Sequence, residues 1–137
     1  MKRAFCTTLT VLAFAGAAQA APPPAAPAAN PTLFTRMLPD VPGKQMVVVN
    51  LTLRPAGGPA RPHRHPGSVL VYVTKGTARL GVEGQPVQIV KEGETFFEVP
   101  GALHTVSESA SATEPAYAIA VMMVPEGAPL TMPEPAR

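Results

Sequence analysis

Three histidines, His63, His65 and His104, carry the clearest chemical signal in this chain, and the sequence contains no others. His63 and His65 are separated by one residue, so on an extended strand both imidazoles lie on the same face. A third histidine on a neighbouring strand completes a set of three nitrogen ligands. Since imidazole binds Fe, Zn, Cu, Ni and, less strongly, Mn, the pattern predicts a site for one divalent transition metal. The alternative is a polar patch without metal.

Residues 1–20 have the features of a secretory signal peptide. Lys2 and Arg3 give a positive start, an apolar run follows, and Ala18-Gln19-Ala20 is typical of a cleavage site. We expect cleavage after Ala20, which places the mature protein in the periplasm or outside the cell. The apolar run is too short to span a bilayer, so no membrane anchor is expected after cleavage. An uncleaved anchor is the alternative.

The composition of the remaining chain excludes several classes of protein. The only cysteine, Cys6, lies in the predicted signal, so the mature chain forms no disulfide. Loss of Lys2 and Arg3 reduces the 11 basic residues to nine, equal to the 9 acidic ones. A neutral chain argues against nucleic acid or an anionic membrane as partner. Asp40 is the only aspartate and lies in a Pro-flanked loop, so no Ser-His-Asp set is indicated.

A single all-β domain is predicted between two proline-rich ends. Residues 21–32 form an Ala/Pro-rich linker, expected to be extended and disordered, and residues 126–137 form a Pro-rich C-terminal tail, expected to pack loosely or fray. Between them, residues 33–125 contain seven or eight short strand signals bounded by Gly and Pro, typical of a sandwich or barrel. The main predicted strands are 46–53, 69–73, 77–82, 86–90, 95–99, 104–107 and 117–124.

Two motifs lie within the predicted domain. The first is a glycine, five residues, His-x-His and a glycine after the next strand; it is carried by Gly57, His63, His65 and Gly76. The second is a glycine, a short strand, Pro-Gly, two residues and a histidine; it is carried by Gly93, Pro100, Gly101 and His104. In this order, the motifs resemble those of the cupin superfamily, and the resemblance covers nearly the whole predicted domain.

The cupin resemblance implies a jelly-roll β-barrel, and it implies that His63, His65 and His104 bind a metal near the barrel mouth. One residue departs from the family pattern. The family glutamate falls four residues after the second histidine, where this chain has Val69. Valine cannot coordinate a metal. Three alternatives follow. The metal is held by the three histidines and water, or by the three histidines and a carboxylate from another position, or it is bound weakly or not at all.

Two glutamates are candidates for the missing carboxylate. Glu98 lies on the strand before the second motif and shares a face with Phe96, although the sequence does not indicate whether that face points inward. It is the one plausible acid/base residue from the two motifs. A solvent-facing Glu98 is the default expectation. Glu108 stands where the family often has asparagine, and a charge in a loop is the expected role for it.

Other side chains near the motifs carry weaker predictions. Arg61 and Arg64 flank the histidines. One interpretation is that they attract an anionic substrate; the commoner role for such residues is simple solvation. Tyr72 is one residue out of phase with Val69, Val71 and Val73, so its side chain should point to the opposite face of the strand. The remaining large apolar residues are expected in the core or in a dimer interface: Phe96, Phe97, Met122 and Met123.

Three functions are open at this point. The resemblance implies a metal-dependent enzyme acting on a small molecule, of the dioxygenase or isomerase kind. Glu98 is the candidate acid/base residue if it points inward. A non-catalytic cupin that binds a small molecule or metal is the second interpretation, and the loss of the glutamate at position 69 favours it somewhat. The third interpretation is a structural protein that uses only the surface of the barrel. A homodimer is expected because cupins often dimerise and exposed edge strands need cover.

Overall fold

The structure is a computed structural model that describes residues 30–55 and 61–134. The predicted signal peptide, most of the predicted linker and Gly57 lie outside these ranges. Within them the chain forms ten strands and no helix: β1 Thr32–Met37, β2 Lys44–Leu53, β3 His63–Arg64, β4 Ser68–Lys75, β5 Thr77–Val82, β6 Gln88–Lys91, β7 Thr95–Glu98, β8 Leu103–Ser109, β9 Ala116–Pro125 and β10 Met132–Pro133. No helix in the described ranges could therefore cross a membrane.

The strands form two five-stranded antiparallel sheets. The first sheet has the order β1-β2-β9-β4-β7 and the second β10-β3-β8-β5-β6. Consecutive strands often lie in different sheets, since β3, β5 and β6 belong to one and β2, β4 and β7 to the other. This alternation is the arrangement of a jelly roll. The prediction of an all-β jelly-roll fold is confirmed.

In β4, buried and exposed side chains alternate strictly, which separates the core from the surface. In β4, Val69, Val71 and Val73 are buried, whereas Leu70 and Tyr72 are exposed. β7 and β9 of the same sheet show the same period of two, because side chains on one face of each strand meet between the sheets. The prediction that Tyr72 points away from Val69 is therefore confirmed. The core formed between the sheets includes Val47, Val49, Leu80, Phe96, Ala118, Ala120 and Met122.

Two tight turns predicted from glycine fall where expected. Gly76 joins β4 to β5 with a φ of 82°, and Gly84 follows β5 with a φ of 78°. Backbone with positive φ is strained for residues with a Cβ, so glycine is the residue suited to both positions. These turns place β5 in the second sheet, directly beside β8, which carries His104.

The C-terminal tail is more ordered than the sequence indicated. β10 pairs with β3 through Met132↔Arg64 and Pro133↔His63. The expectation that the segment packs loosely is wrong for its described part, because the two-residue β3 leaves an edge that the tail covers. Pro133 lacks an N–H donor but tolerates this position because β10 is the edge strand of the sheet.

Candidate metal centre

Strand pairing brings the three histidines together at one end of the barrel. His63 on β3 lies directly opposite His104 on β8 in the second sheet. His65 follows immediately after β3, where the chain crosses toward β4 in the first sheet. One ligand nitrogen from each of the three imidazoles lies within 4.8 Å of the others. The predicted grouping of the three histidines is therefore present in the structure.

The crossing that carries His65 into position depends on Gly67. A Cβ at Gly67 would lie 2.7 Å from the carbonyl carbon of Met123 and 2.9 Å from the Cα of Val124, and it would clash with the Met123 carbonyl oxygen. The backbone of β9 therefore packs directly against the chain two residues after His65. Only glycine permits this close approach, which fixes where the segment joins β4.

Backbone carbonyls orient two of the histidines. The Nδ1 of His63 donates to the carbonyl oxygen of Arg61 at 2.9 Å, and the Nδ1 of His65 donates to that of Leu130 at 2.6 Å. Because a carbonyl only accepts, the proton of each neutral imidazole is on Nδ1 and the lone pair is on Nε2. A hydrogen bond of this kind is the usual support of a metal-binding histidine. Leu130 belongs to the C-terminal tail, and sequence reasoning missed its role.

Glu98 faces inward from the opposite sheet, at the end of β7. Its side chain is 3% exposed. Its Oε2 lies 3.4 Å from Nδ1 of His104 and 4.0 Å from Nε2 of His65. The expectation of a solvent-facing Glu98 is thus wrong, because Phe96 and Glu98 share the inner face of β7. Glu98 also pairs in register with Val69, the position where the cupin resemblance calls for glutamate.

Three polar atoms at the centre of this cluster are buried without hydrogen-bond partners. Among the described residues, they are Oε2 of Glu98 and both ring nitrogens of His104. The His104 ring is 4% exposed and stacks on Phe96, with ring centroids 6.0 Å apart. Each unsatisfied buried polar group costs about 1–3 kcal/mol. A cation held by one nitrogen of each imidazole and by the carboxylate would satisfy Oε2 of Glu98 and one of the two His104 nitrogens, so the donor set fits a transition metal.

Burial also sets the protonation of the cluster. Burial, together with the nearby His63 and His65, lowers the pKa of His104 to about 4. Burial likewise lowers the pKa of His65. Burial raises the pKa of Glu98 to about 7. Near neutral pH both histidines are therefore uncharged, as metal binding requires, and Glu98 is close to half ionised.

The remaining predicted residues have other roles. Glu108 is not a loop charge: it lies on β8 and its Oε1 forms a 2.7 Å ion pair with Arg79. Arg64 is not simply solvated, because it pairs with Glu134 at 3.1 Å and donates to the Gly101 carbonyl at 2.7 Å. Of the four large apolar residues, Phe96 and Met122 are in the core. Phe97 and Met123 are exposed.

A cavity of about 810 Å³ opens beside the histidines. Its floor is apolar, with Val49, Val71 and Leu80 among its residues, and its rim is polar. Besides the three histidines and Glu98, it is lined by residues from β2, β8, the tail and the loops, including Asn30, Thr52, Arg54, Arg61, Ser107, Glu108 and Thr131. A pocket with an apolar wall and a few convergent polar groups suits a small molecule.

The chain belongs to the cupin domain family, whose sequence model matches residues 50–122. The matched segment contains all three histidines and Glu98. No curated protein matches the sequence. The family assignment agrees with the resemblance read from the two motifs and with the jelly-roll topology.

Solved structures show the same fold. An uncharacterized conserved protein with a double-stranded β-helix domain from Klebsiella pneumoniae is 21% identical, with a TM-score of 0.57, covering 78% of this chain and 84% of that one. A putative mannose-6-phosphate isomerase from Ralstonia eutropha is 19% identical, with a TM-score of 0.52, covering 72% of this chain and 87% of that one. At these identities the similarity establishes the fold only.

Proposed function

We propose that this cupin binds one divalent transition metal through His63, His65 and His104 and acts on a small molecule in the adjoining cavity. The observation that carries the proposal is the set of unpartnered buried atoms on His104 and Glu98. Native proteins rarely leave such atoms unsatisfied. Fe, Mn, Ni, Cu and Zn all suit the three nitrogens and one oxygen that the site offers.

A metal at this position supplies Lewis acidity or, if it is Fe, a binding site for dioxygen. The residues of the chain contribute the rest. The apolar floor of the cavity excludes water from the bound molecule. A bound cation would favour the ionised form of Glu98, so its carboxylate is placed to accept a proton from a molecule in the cavity.

The position of Glu98 favours an enzyme over a non-catalytic binding module. A catalyst needs an ionisable side chain within reach of the bound molecule, whereas simple retention of a ligand does not. Glu98 is such a group, since it lines the cavity and lies beside His65 and His104. A dioxygenase or an isomerase is the proposed reaction class, and a binding module is the alternative.

The proposal includes location and assembly. The signal-like residues 1–20 support a periplasmic or secreted protein. Phe34, Leu70 and Phe97 are exposed apolar residues on the outer face of the first sheet, and they support a homodimer. Export of the intact sequence, followed by N-terminal sequencing of the product, tests the location directly.

Metal content tests the proposed site. The protein, purified without a histidine tag, is expected to contain about one transition metal per chain by mass spectrometry. His104→Ala and His63→Ala should each lose most of it, while Arg36→Gln, on the exposed strand β1, should retain it. Circular dichroism confirms that each variant is folded. Parental metal content in both histidine variants, or none in the parent after incubation with each ion, would disprove the metal site.

A further inference from the structure

The arginines near the cavity fall into two groups. Arg64 and Arg79 are already neutralised, since each forms an ion pair with a glutamate at 3.1 Å and 2.7 Å respectively. Only Arg54 and Arg61 of these four line the cavity, and within residues 30–55 and 61–134 neither forms an ion pair. Two positive charges at the cavity rim thus have no acidic partner in the described structure.

Hydrogen bonds fix the backbones of both Arg54 and Arg61. The carbonyl oxygen of Arg54, directly after β2, accepts a 2.6 Å hydrogen bond from the Ser109 amide of β8. The carbonyl oxygen of Arg61 accepts the 2.9 Å hydrogen bond from His63. Ser109 is at the opposite end of β8 from His104, so the Arg54 backbone is held at that end, while Arg61 is held beside His63. Both side chains are exposed and line the cavity.

The charge of the cavity lining is unbalanced in favour of an anion. Its only carboxylates among the described residues are Glu98, which faces the proposed metal, and Glu108, which is paired with Arg79. The metal adds further positive charge. Guanidinium groups bind carboxylate and phosphate oxygens through paired N–H donors. The walls below the rim are apolar.

We propose that the cavity takes a small organic anion, whose carboxylate or phosphate contacts Arg54 and Arg61 and whose apolar body packs against the floor. The inference deepens the proposed function, and it rests on that function for the metal beside the anion. The arginine contacts themselves do not require the metal. The two proposals can therefore fail separately.

Binding of three matched probes to the Zn²⁺-loaded and the metal-free protein, measured by calorimetry, tests the inference. Benzoate and phenyl phosphate carry the two candidate anionic groups on the same ring, and benzamide is the neutral control. One of the two anions should bind at least about tenfold more tightly than benzamide. The tighter of the two identifies the anionic group.

The double variant Arg54→Gln/Arg61→Gln should weaken binding of that anion at least about tenfold and leave the zinc content unchanged. Arg36→Gln, an exposed arginine outside the cavity, should bind as the parent does. Equal binding of benzamide, unchanged affinity in the double variant, or no binding of either anion at millimolar concentration would each overturn the inference. If no transition metal is retained but the anion binds in an arginine-dependent way, the proposed metal site fails and the anion site stands.

Discussion

Val69 and Glu98 lie opposite each other on β4 and β7 and share the inner face of the first sheet. Directly paired residues on antiparallel strands have Cβ atoms about 4.5–5.5 Å apart. A carboxylate moved from position 69 to position 98 therefore still reaches the same space. In the proposed metal site, Glu98 would supply the carboxylate that the sequence motif lacks at position 69.

The metal-free protein should show the cost of keeping Glu98 buried. Its carboxyl has a raised pKa of about 7, so the folded state favours the protonated form. The protonated carboxyl therefore contributes to the free energy of unfolding, fully below pH 4.5, and this contribution is lost as the pH rises through 7. The Glu98→Gln variant has no such loss. Its free energy of unfolding should gain about 3 kcal/mol relative to the parent between pH 4 and pH 8.

Denaturant unfolding in the presence of a chelator measures this difference at both pH values. Glu92→Gln, in the exposed turn before β7, is the matched control and should track the parent. With metal present the parent should be more stable than Glu98→Gln, because the variant should bind metal at least about tenfold more weakly. A parent and variant with the same pH dependence would show that the carboxylate is not desolvated.

The sequence identified the histidines, but it could not place the carboxylate. The His-x-His spacing determines a shared face without knowledge of the partner strand. The direction of Glu98 depends instead on which face of β7 meets the core, and that follows from long-range pairing with β4. Leu130 was missed for a related reason, since a backbone carbonyl carries no signal in the residue type.

At the level of elements, the strands with strong alternation were predictable and the short edge strands were not. β5 spans Thr77–Val82, the range predicted from its flanking glycine turns. β1 and β10 escaped prediction because both are fully exposed, so neither shows a buried and exposed period. Such strands are held by hydrogen bonds to a neighbour, which a local pattern does not encode.

The C-terminal tail supports the metal centre as well as the sheet edge. It supplies the Leu130 carbonyl to His65, pairs β10 with β3, and places Glu134 against Arg64. Truncation before Leu130 removes all three contacts. Loss of such support lowers metal affinity by about 10- to 100-fold in other sites, and we expect a decrease of that size here.

Competition with a chromophoric chelator measures the affinity of the truncated protein. Removal of residues 135–137 alone is the control and should leave the affinity unchanged. Glu134→Gln keeps β10 and the Leu130 carbonyl, so it should have a smaller effect than the truncation. Full affinity in the truncated protein, with its fold intact by circular dichroism, would show that the tail is not needed to orient His65.

At the scale of the whole molecule, the outer face of the first sheet is unusually apolar. A single row of cross-strand partners runs over all five strands: Phe34, Val48, Val121, Leu70 and Phe97. Phe34, Leu70 and Phe97 are 45%, 40% and 58% exposed. A sheet with one solvated face normally alternates apolar inside with polar outside. We propose that a partner covers the surface that this row forms.

A second copy of the chain is the partner that these features favour. Without residues 1–20 the chain is formally neutral, so two copies do not repel each other strongly. Packing two such sheets face to face would bury the row on both copies, and a two-fold axis makes the contact self-complementary. The metal centres lie between the sheets of each copy, so they remain separate from this interface.

The double variant Leu70→Gln/Phe97→Gln should convert the dimer to a monomer. Burial of a large apolar side chain contributes about 1.5–3 kcal/mol, so the dimer dissociation constant should rise more than about 100-fold. Ile89→Gln, 54% exposed on the second sheet, is the matched control and should remain dimeric. Light scattering coupled to gel filtration at micromolar concentration distinguishes the two states. A monomeric parent, or a variant that stays dimeric, would contradict the proposed interface.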